Sequence, residues 1–424
     1  MNRAPPTAGP RRRRWPALGA MLGLLLLVVG VQASEAVASA GLALTVMAVL
    51  ADAWPRRREI AWRGALAKWR WLILFCGWAL VAPAFAGHAP TGTGVGRLFD
   101  FIALPALVLA FDLADERWRR RLVWTGAGVL VASCLFTALQ HFGLVPSVVW
   151  MRHLAFFGTN TDRVYQAEPG NPGRFLGGGL LFHRLKFAHV SGFAILFCAA
   201  VAVRERGRHR WIALALGSFA LVSIIAFALV RAASVAAFVG AALVVLLTQA
   251  NRRRAWLASS GAGVLALSLI VAAAPIRKRF SSSLSEAGSG DRPLILESGL
   301  RALESSPVVG LGLGRFRLGD WVPPNAPREI PRAGKAHNQF LTFAIETGVP
   351  GALLFIALLV SVALRLAPTT WRGAFGLAAL LYFALLSMLH DPLFHAPVSM
   401  AFVLALGWAL SGRRRGAQAA PVSG

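Results

Sequence analysis

The chain is poor in acid and poor in cysteine. Of its 424 residues only 18 are Asp or Glu, against 44 Lys and Arg. The cysteines Cys76, Cys134 and Cys198 are scattered through apolar runs. That is an odd and widely spaced set, unsuited to a disulfide framework or a thiolate metal centre. No Asp-x-Asp pair is present to hold a catalytic cation. Neither G-x-S-x-G nor H-E-x-x-H occurs, so the nucleophile elbow and the zincin helix are both excluded. His183, His189, His390 and His395 do not fall at zinc-ligand spacing either. No metal and no cofactor is expected.

Long polar stretches are scarce as well. Residues are 56% hydrophobic and 15% charged, with mean hydropathy +0.60, which is far from the composition of an ordinary soluble domain. Apolar runs of about 18–20 residues recur along the chain, the length that crosses a bilayer as helix. A net charge of +26 would suit a nucleic-acid binder. The arginines, however, sit in short clusters between the apolar runs, which is the pattern of cytoplasmic loops. Membrane lipid, and no nucleic acid, is the expected surrounding.

Twelve spans are expected, near residues 16–33, 35–53, 69–86, 96–113, 122–141, 187–203, 211–229, 232–249, 256–274, 350–366, 374–389 and 398–411. Arg11–Arg14 before the first run resembles the start of a signal sequence, but the many spans that follow favour an uncleaved first span. Basic clusters alternate with apolar pairs, placing both termini in the cytoplasm. The fold class is an all-α polytopic membrane protein, a single integral-membrane domain over 1–424. The nearly unbroken apolar stretch Trp211–Gln249 is twice a span long, so the chain has to turn at Val230–Ser234. Arg231 then lies at a tight turn, at or below the outer surface.

This topology leaves two long outer loops, 142–186 and 275–349, both strongly basic although the positive-inside rule does not require it. Guanidinium groups in such number suit an anionic ligand, phosphate above all. In the second loop, Asp291–Glu304 reads as an amphipathic surface helix with Leu294, Ile295, Gly299 and Leu303 on one face. Arg292 in its first turn opposes the helix dipole, and a bound anion would compensate. Gly310, Gly312 and Gly314 resemble a nucleotide loop but follow no strand. They are read instead as a tight backbone path. His337 precedes a short helix, about 338–347, ended by Gly348, with Pro350 starting the next span. Nine positions at 100° per residue put Glu346 on the opposite face from His337. Asp391 is the candidate to orient His337, and Glu346 is expected to brace the loop through an arginine.

Several of these segments together resemble the O-antigen ligase and polymerase superfamily. They are the turn Leu229–Ser234, the helix start Gly290–Ile295, the block PVVGLGLGRF from Pro307 to Phe316, and HNQFLTFAIETGVPG from His337 to Gly351. Phe187–Gly192, around His189, resembles a further family stretch. The resemblance implies a GT-C-like glycosyltransferase of the bacterial inner membrane, with short amphipathic helices in a large periplasmic loop. It implies an undecaprenyl-diphosphate-linked O-antigen as donor and a hydroxyl of lipid A-core as acceptor; a polymerase would use another lipid-linked repeat unit. His337 would be the general base. Arg231 and Arg292, with Lys186 and Arg184, would clamp the diphosphate, and His189 and Gln339 would join the donor site. A competing class, a non-enzymatic transporter of lipid-linked glycan, would need broken helices repeated in two halves, and no internal repeat supports it.

Overall fold

A computed structural model of the chain describes residues 14–58, 62–85, 87–145, 167–168, 171–249, 292–323 and 335–411. The apolar runs are helices, as they have to be where no water is present to satisfy the backbone. They are α1 (Arg14–Ala33), α2 (Glu35–Ala53), α3 (Trp62–Phe85), α4 (Gly92–Ile102), α5 (Leu104–Leu113) and α6 (Glu116–His141), followed by α7 (Arg184–Arg204), α8 (Arg208–Val222) and α9 (Arg231–Thr248). After α10 (Arg292–Ser305) come α11 (Gln339–Ala363), α12 (Trp371–Leu389) and α13 (Ala396–Leu410). Among the described residues, ten segments are long and apolar enough to cross a membrane, counting α4 with α5 as one. With the shorter α13 they account for eleven of the expected spans; the twelfth, 256–274, lies outside the described residues. The chain is thus an all-α, multi-pass membrane protein.

Two departures from plain helix matter. The connection between α6 and α7 carries a small antiparallel ribbon, Ala167–Glu168 against Asn171–Phe175, which hydropathy gave no reason to expect. In addition, α8 passes into a π-helical turn, Ser223–Ala228, and ends on Leu229 in the left-handed conformation (φ 52°). That reversal is the turn required by the length of the Trp211–Gln249 run, and it leaves Arg231 as the first residue of α9.

Packing follows the small and aromatic residues. In the α1–α2 hairpin the backbones touch: a Cβ on Gly30 would lie 2.1 Å from the Ala38 nitrogen, the close approach that small residues permit between membrane helices. The centre is a run of phenylalanines contributed by α3, α4, α11, α12 and α13. Phe75, Phe101 and Phe343 surround Phe355, and Phe383 stacks on Phe402 with centroids 4.1 Å apart.

The helices also define two ends. At one, the Arg204 guanidinium closing α7 lies 4.8 Å over the ring of Trp371, which opens α12. At the other, Arg184 at the start of α7 bears electrostatically on His390, the residue after α12. α7 and α12 are therefore antiparallel, and α8 brings the chain back so that Arg231 returns to the histidine end.

Candidate functional site

His337 stands before α11 with φ 52°, a left-handed conformation that a non-glycine residue seldom adopts without cause. Asn338 next to it caps α11, its Oδ1 accepting from the Leu341 N–H at 3.0 Å. The helix then breaks at Gly348 (φ 74°) before Pro350. A break inside a span leaves carbonyls that need donors, and here each one has a donor. Ile345 O accepts from Leu311 N, Glu346 O from Gly312 N, and Thr347 O from Trp78 Nε1. The glycine-rich segment is therefore the cover of this break. Side chains are impossible at the contact, since a Cβ on Gly348 would sit 1.9 Å from Val308 O and one on Gly310 2.5 Å from the Glu346 carbonyl carbon.

Beneath the break is a buried charge cluster. Glu346, with no solvent exposure, accepts from Arg97 Nη2 at 2.8 Å, and Lys335 Nζ is 3.5 Å from its other oxygen. Lys335 also donates to Phe316 O at 3.1 Å and lies 4.5 Å over the Phe394 ring. Burial lowers the Lys335 ammonium pKa, and the Glu346 carboxylate opposes that shift. Glu346 thus braces the loop through an arginine, as expected, but the arginine is Arg97 in α4. Nothing near it in sequence indicated this partner. The available signal was an arginine inside an apolar span, which is costly unless paired.

The imidazoles lie together above this cluster. His337 and His390 have ring centroids 6.4 Å apart, and His390 and His189 are 5.4 Å apart. His183 and His395 form a second pair at 5.2 Å. His189 is 1% exposed, and neither ring nitrogen has a hydrogen-bond partner among the described residues. Among the described residues no set of three or more His, Cys, Asp or Glu side chains is arranged to hold a metal ion. Burial lowers the His337 pKa; Arg292 adds to this effect and Asp391 opposes it. His390 is pushed down to about 4 by burial and then by the charges of His337, Arg292 and Arg184. Asp391, 7% exposed, accepts from Thr342 Oγ1 at 2.6 Å through Oδ1, while Oδ2 lacks a partner among the described residues. Burial raises its carboxyl pKa.

The other anticipated residues divide. Arg184 and Arg292 converge electrostatically on His390. Arg231 opens α9 at the same end, half-buried, after a turn without a side-chain cap. Gln339 is fully buried and its Oε1 accepts from Leu393 N at 3.1 Å, tying α11 to the segment after Asp391. Lys186 points to a different partner, forming an ion pair with Glu35 at 2.9 Å on the α1–α2 turn. The α10 helix buries Ile295 and Gly299, with Leu294 and Leu303 packed beside Leu341 and Ile345 at the start of α11, as its apolar pattern predicted. Asp291, Arg152, Arg163, Arg277–Arg279, Arg328 and Arg332 lie outside the described residues.

A multi-pass helical membrane protein with buried charge, strained backbone and clustered imidazoles at one end is the class that these observations define. Residues 216–356 match the family model described as O-antigen ligase. That match covers about a third of the chain and supports a likeness to the O-antigen ligase and polymerase superfamily over that stretch. No curated protein sequence matches the chain. The matched stretch contains Arg231, Arg292, His337 and Glu346, whereas Arg97, Arg184, His189 and Asp391 lie outside it.

Proposed function

We propose that this chain is an O-antigen ligase acting on the periplasmic face of the inner membrane, with its active site at the histidine end. The observation that carries the reading is His337, held half-buried in a left-handed backbone beside His390, within the field of Arg292 and near the carboxylate of Asp391. A lowered pKa keeps the imidazole neutral at physiological pH, which is the form that accepts a proton. The acceptor hydroxyl of lipid A-core loses its proton to His337 as its oxygen attacks the anomeric carbon of the donor sugar. The bond from that carbon to the phosphate oxygen breaks, the centre inverts, and undecaprenyl diphosphate leaves. Arg231 and Arg292 each open a helix whose first N–H groups add to the positive field. With Arg184 they stabilise the charge that develops on the diphosphate. His189 and Gln339 lie behind them as the floor of the donor site.

The test is transfer by the purified full-length chain, without ATP, from a lipid-linked glycan to lipid A-core. Formation of the ligated product is expected. Elongation of the donor with a second lipid-linked repeat unit, and no ligation, would instead identify a polymerase. Absence of any product with both acceptors, while the glycan lipid crosses the bilayer, would identify a transporter.

A further inference from the structure

A cavity at the Arg204 end has no part in this chemistry. It has a volume of about 540 Å³ and opens between α1, α6, α7, α8, α12 and α13. Its lining runs from Glu116 to Leu130 along α6 and from Val190 to Glu205 along α7, about 21 and 22 Å at 1.5 Å per residue. Half of a bilayer of about 40–45 Å, headgroup regions included, is about 20–22 Å, so the slot has the depth of one leaflet with its headgroups. The walls are mainly apolar, with Val28, Phe193, Phe197 and Leu404 among them.

At the Arg204 end the lining changes character. Four arginines, Arg119, Arg120, Arg204 and Arg372, face two glutamates, Glu116 and Glu205, so the rim carries two excess positive charges. Arg372 lies 5.3 Å over Trp371 and 5.5 Å over Trp408, and Arg204 lies 4.8 Å over Trp371. Ring faces hold guanidinium groups in place without neutralising them; Arg204 also pairs with the part-exposed Glu205 at 3.3 Å, a charge already included in the rim's excess of two. Trp408 also lines this cavity, and its Nε1–H is buried without an acceptor among the described residues. An apolar slot one leaflet deep, a cationic rim and an unused N–H donor beside that rim together describe a lipid with a negative head.

We propose that this cavity binds an anionic phospholipid from the leaflet at the Arg204 end. An acyl chain lies along α6 and α7, the phosphate sits on Arg204 and Arg372, and Trp408 donates to a glycerol-ester carbonyl. Free phosphate does not explain the apolar walls, and a zwitterionic lipid does not use the excess positive charge of the rim. The site is at the opposite end of the bundle from His337, so it is separate from the transfer chemistry.

Native mass spectrometry of the detergent-solubilised full chain tests this, with phosphatidylglycerol and phosphatidylcholine titrated separately. One phosphatidylglycerol should be retained in preference to phosphatidylcholine. The double variant Arg204→Gln with Arg372→Gln should weaken it by about an order of magnitude or more, and Arg204→Lys with Arg372→Lys should retain most of the binding. Filling the slot with Ala194→Trp should displace the lipid with the rim intact. Equal retention of the two lipids by the unmodified chain would overturn the proposal, and this arm needs no variant to fold. Unchanged phosphatidylglycerol binding in Ala194→Trp would show that the rim alone attracts lipid and would overturn the cavity assignment.

Discussion

The two ends of the bundle hold their arginines with different partners. At the tryptophan end, Arg204 and Arg372 rest on aromatic faces, and Arg204 is 46% exposed with an ion pair to its neighbour Glu205. At the histidine end, Arg97 is 6% exposed and is held by a carboxylate 249 positions away in sequence. Backbone strain follows the same division: the left-handed residues Leu229 and His337 and the break at Gly348 all belong to the histidine end. Exposed arginines on rings cost little and anchor the protein in its membrane. Buried charge and strained backbone are expensive and persist where the surrounding structure and the chemistry require them.

Removing Glu346 should separate the ends most sharply. Glu346→Gln leaves Arg97 buried without its carboxylate partner and Lys335 with only the field of Asp391, with an expected loss of about 3–5 kcal/mol. By contrast, Arg204→Gln at the other end should change stability by less than about 1 kcal/mol. Thermal unfolding in detergent measures both, and equal effects would erase the distinction. Next in size, Arg231→Lys should lower the transfer rate by about 10²–10³, because a point charge lacks the bidentate fork of guanidinium. Single-turnover rates would show this, and full activity would remove Arg231 from the diphosphate clamp.

A pH effect of similar scale is expected from the imidazoles. His390 titrates at about 4 when folded and at its ordinary 6.5 when unfolded. As pH falls the unfolded chain takes up the proton first, so stability present above pH 6.5 is lost progressively down to about pH 4. The loss from this group is at most about 3 kcal/mol. His337 acts in the same direction, and Asp391, whose carboxyl pKa is raised, acts in the opposite one above its ordinary 3.8. His390→Gln should therefore flatten the fall of Tm on acidification, and an unchanged slope would argue against a buried neutral imidazole. The smallest effect belongs to Lys186. Its pair with the half-exposed Glu35 is worth about 0–1 kcal/mol. Lys186→Gln should leave stability nearly unchanged, and a large loss of transfer would support Lys186 as a member of the diphosphate clamp.

Much of the fold was legible because hydrocarbon imposes one rule on every span. Run length required a reversal and the interruption Val230–Ser234 placed it within a residue or two of the turn at Leu229–Val230, while helix geometry alone set Glu346 apart from His337. The pairing of Glu346 with Arg97 was not legible, since it depends on how α4 packs against α11. The GLGLG segment gave its backbone freedom away in sequence, but its role as donor to the carbonyls of a broken helix needs the fold. The approach of His390 to His337 was hidden for the same reason: the two residues lie on either side of α11 and α12. Asp391, with His390 and His395 beside it, marked that region beforehand, but nothing in the sequence joined His390 to His337.

The central claim is that His337 takes the acceptor proton. Its most direct test is the rate of glycan transfer to lipid A-core by purified His337→Ala against the unmodified chain, followed across pH with both proteins shown to be folded. The account predicts a loss of about 10²–10⁴, and, for the unmodified chain, an acidic limb whose midpoint lies below pH 6.5, where burial and Arg292 have moved the imidazole. Transfer by His337→Ala at the unmodified rate, with the same acidic limb, would contradict it.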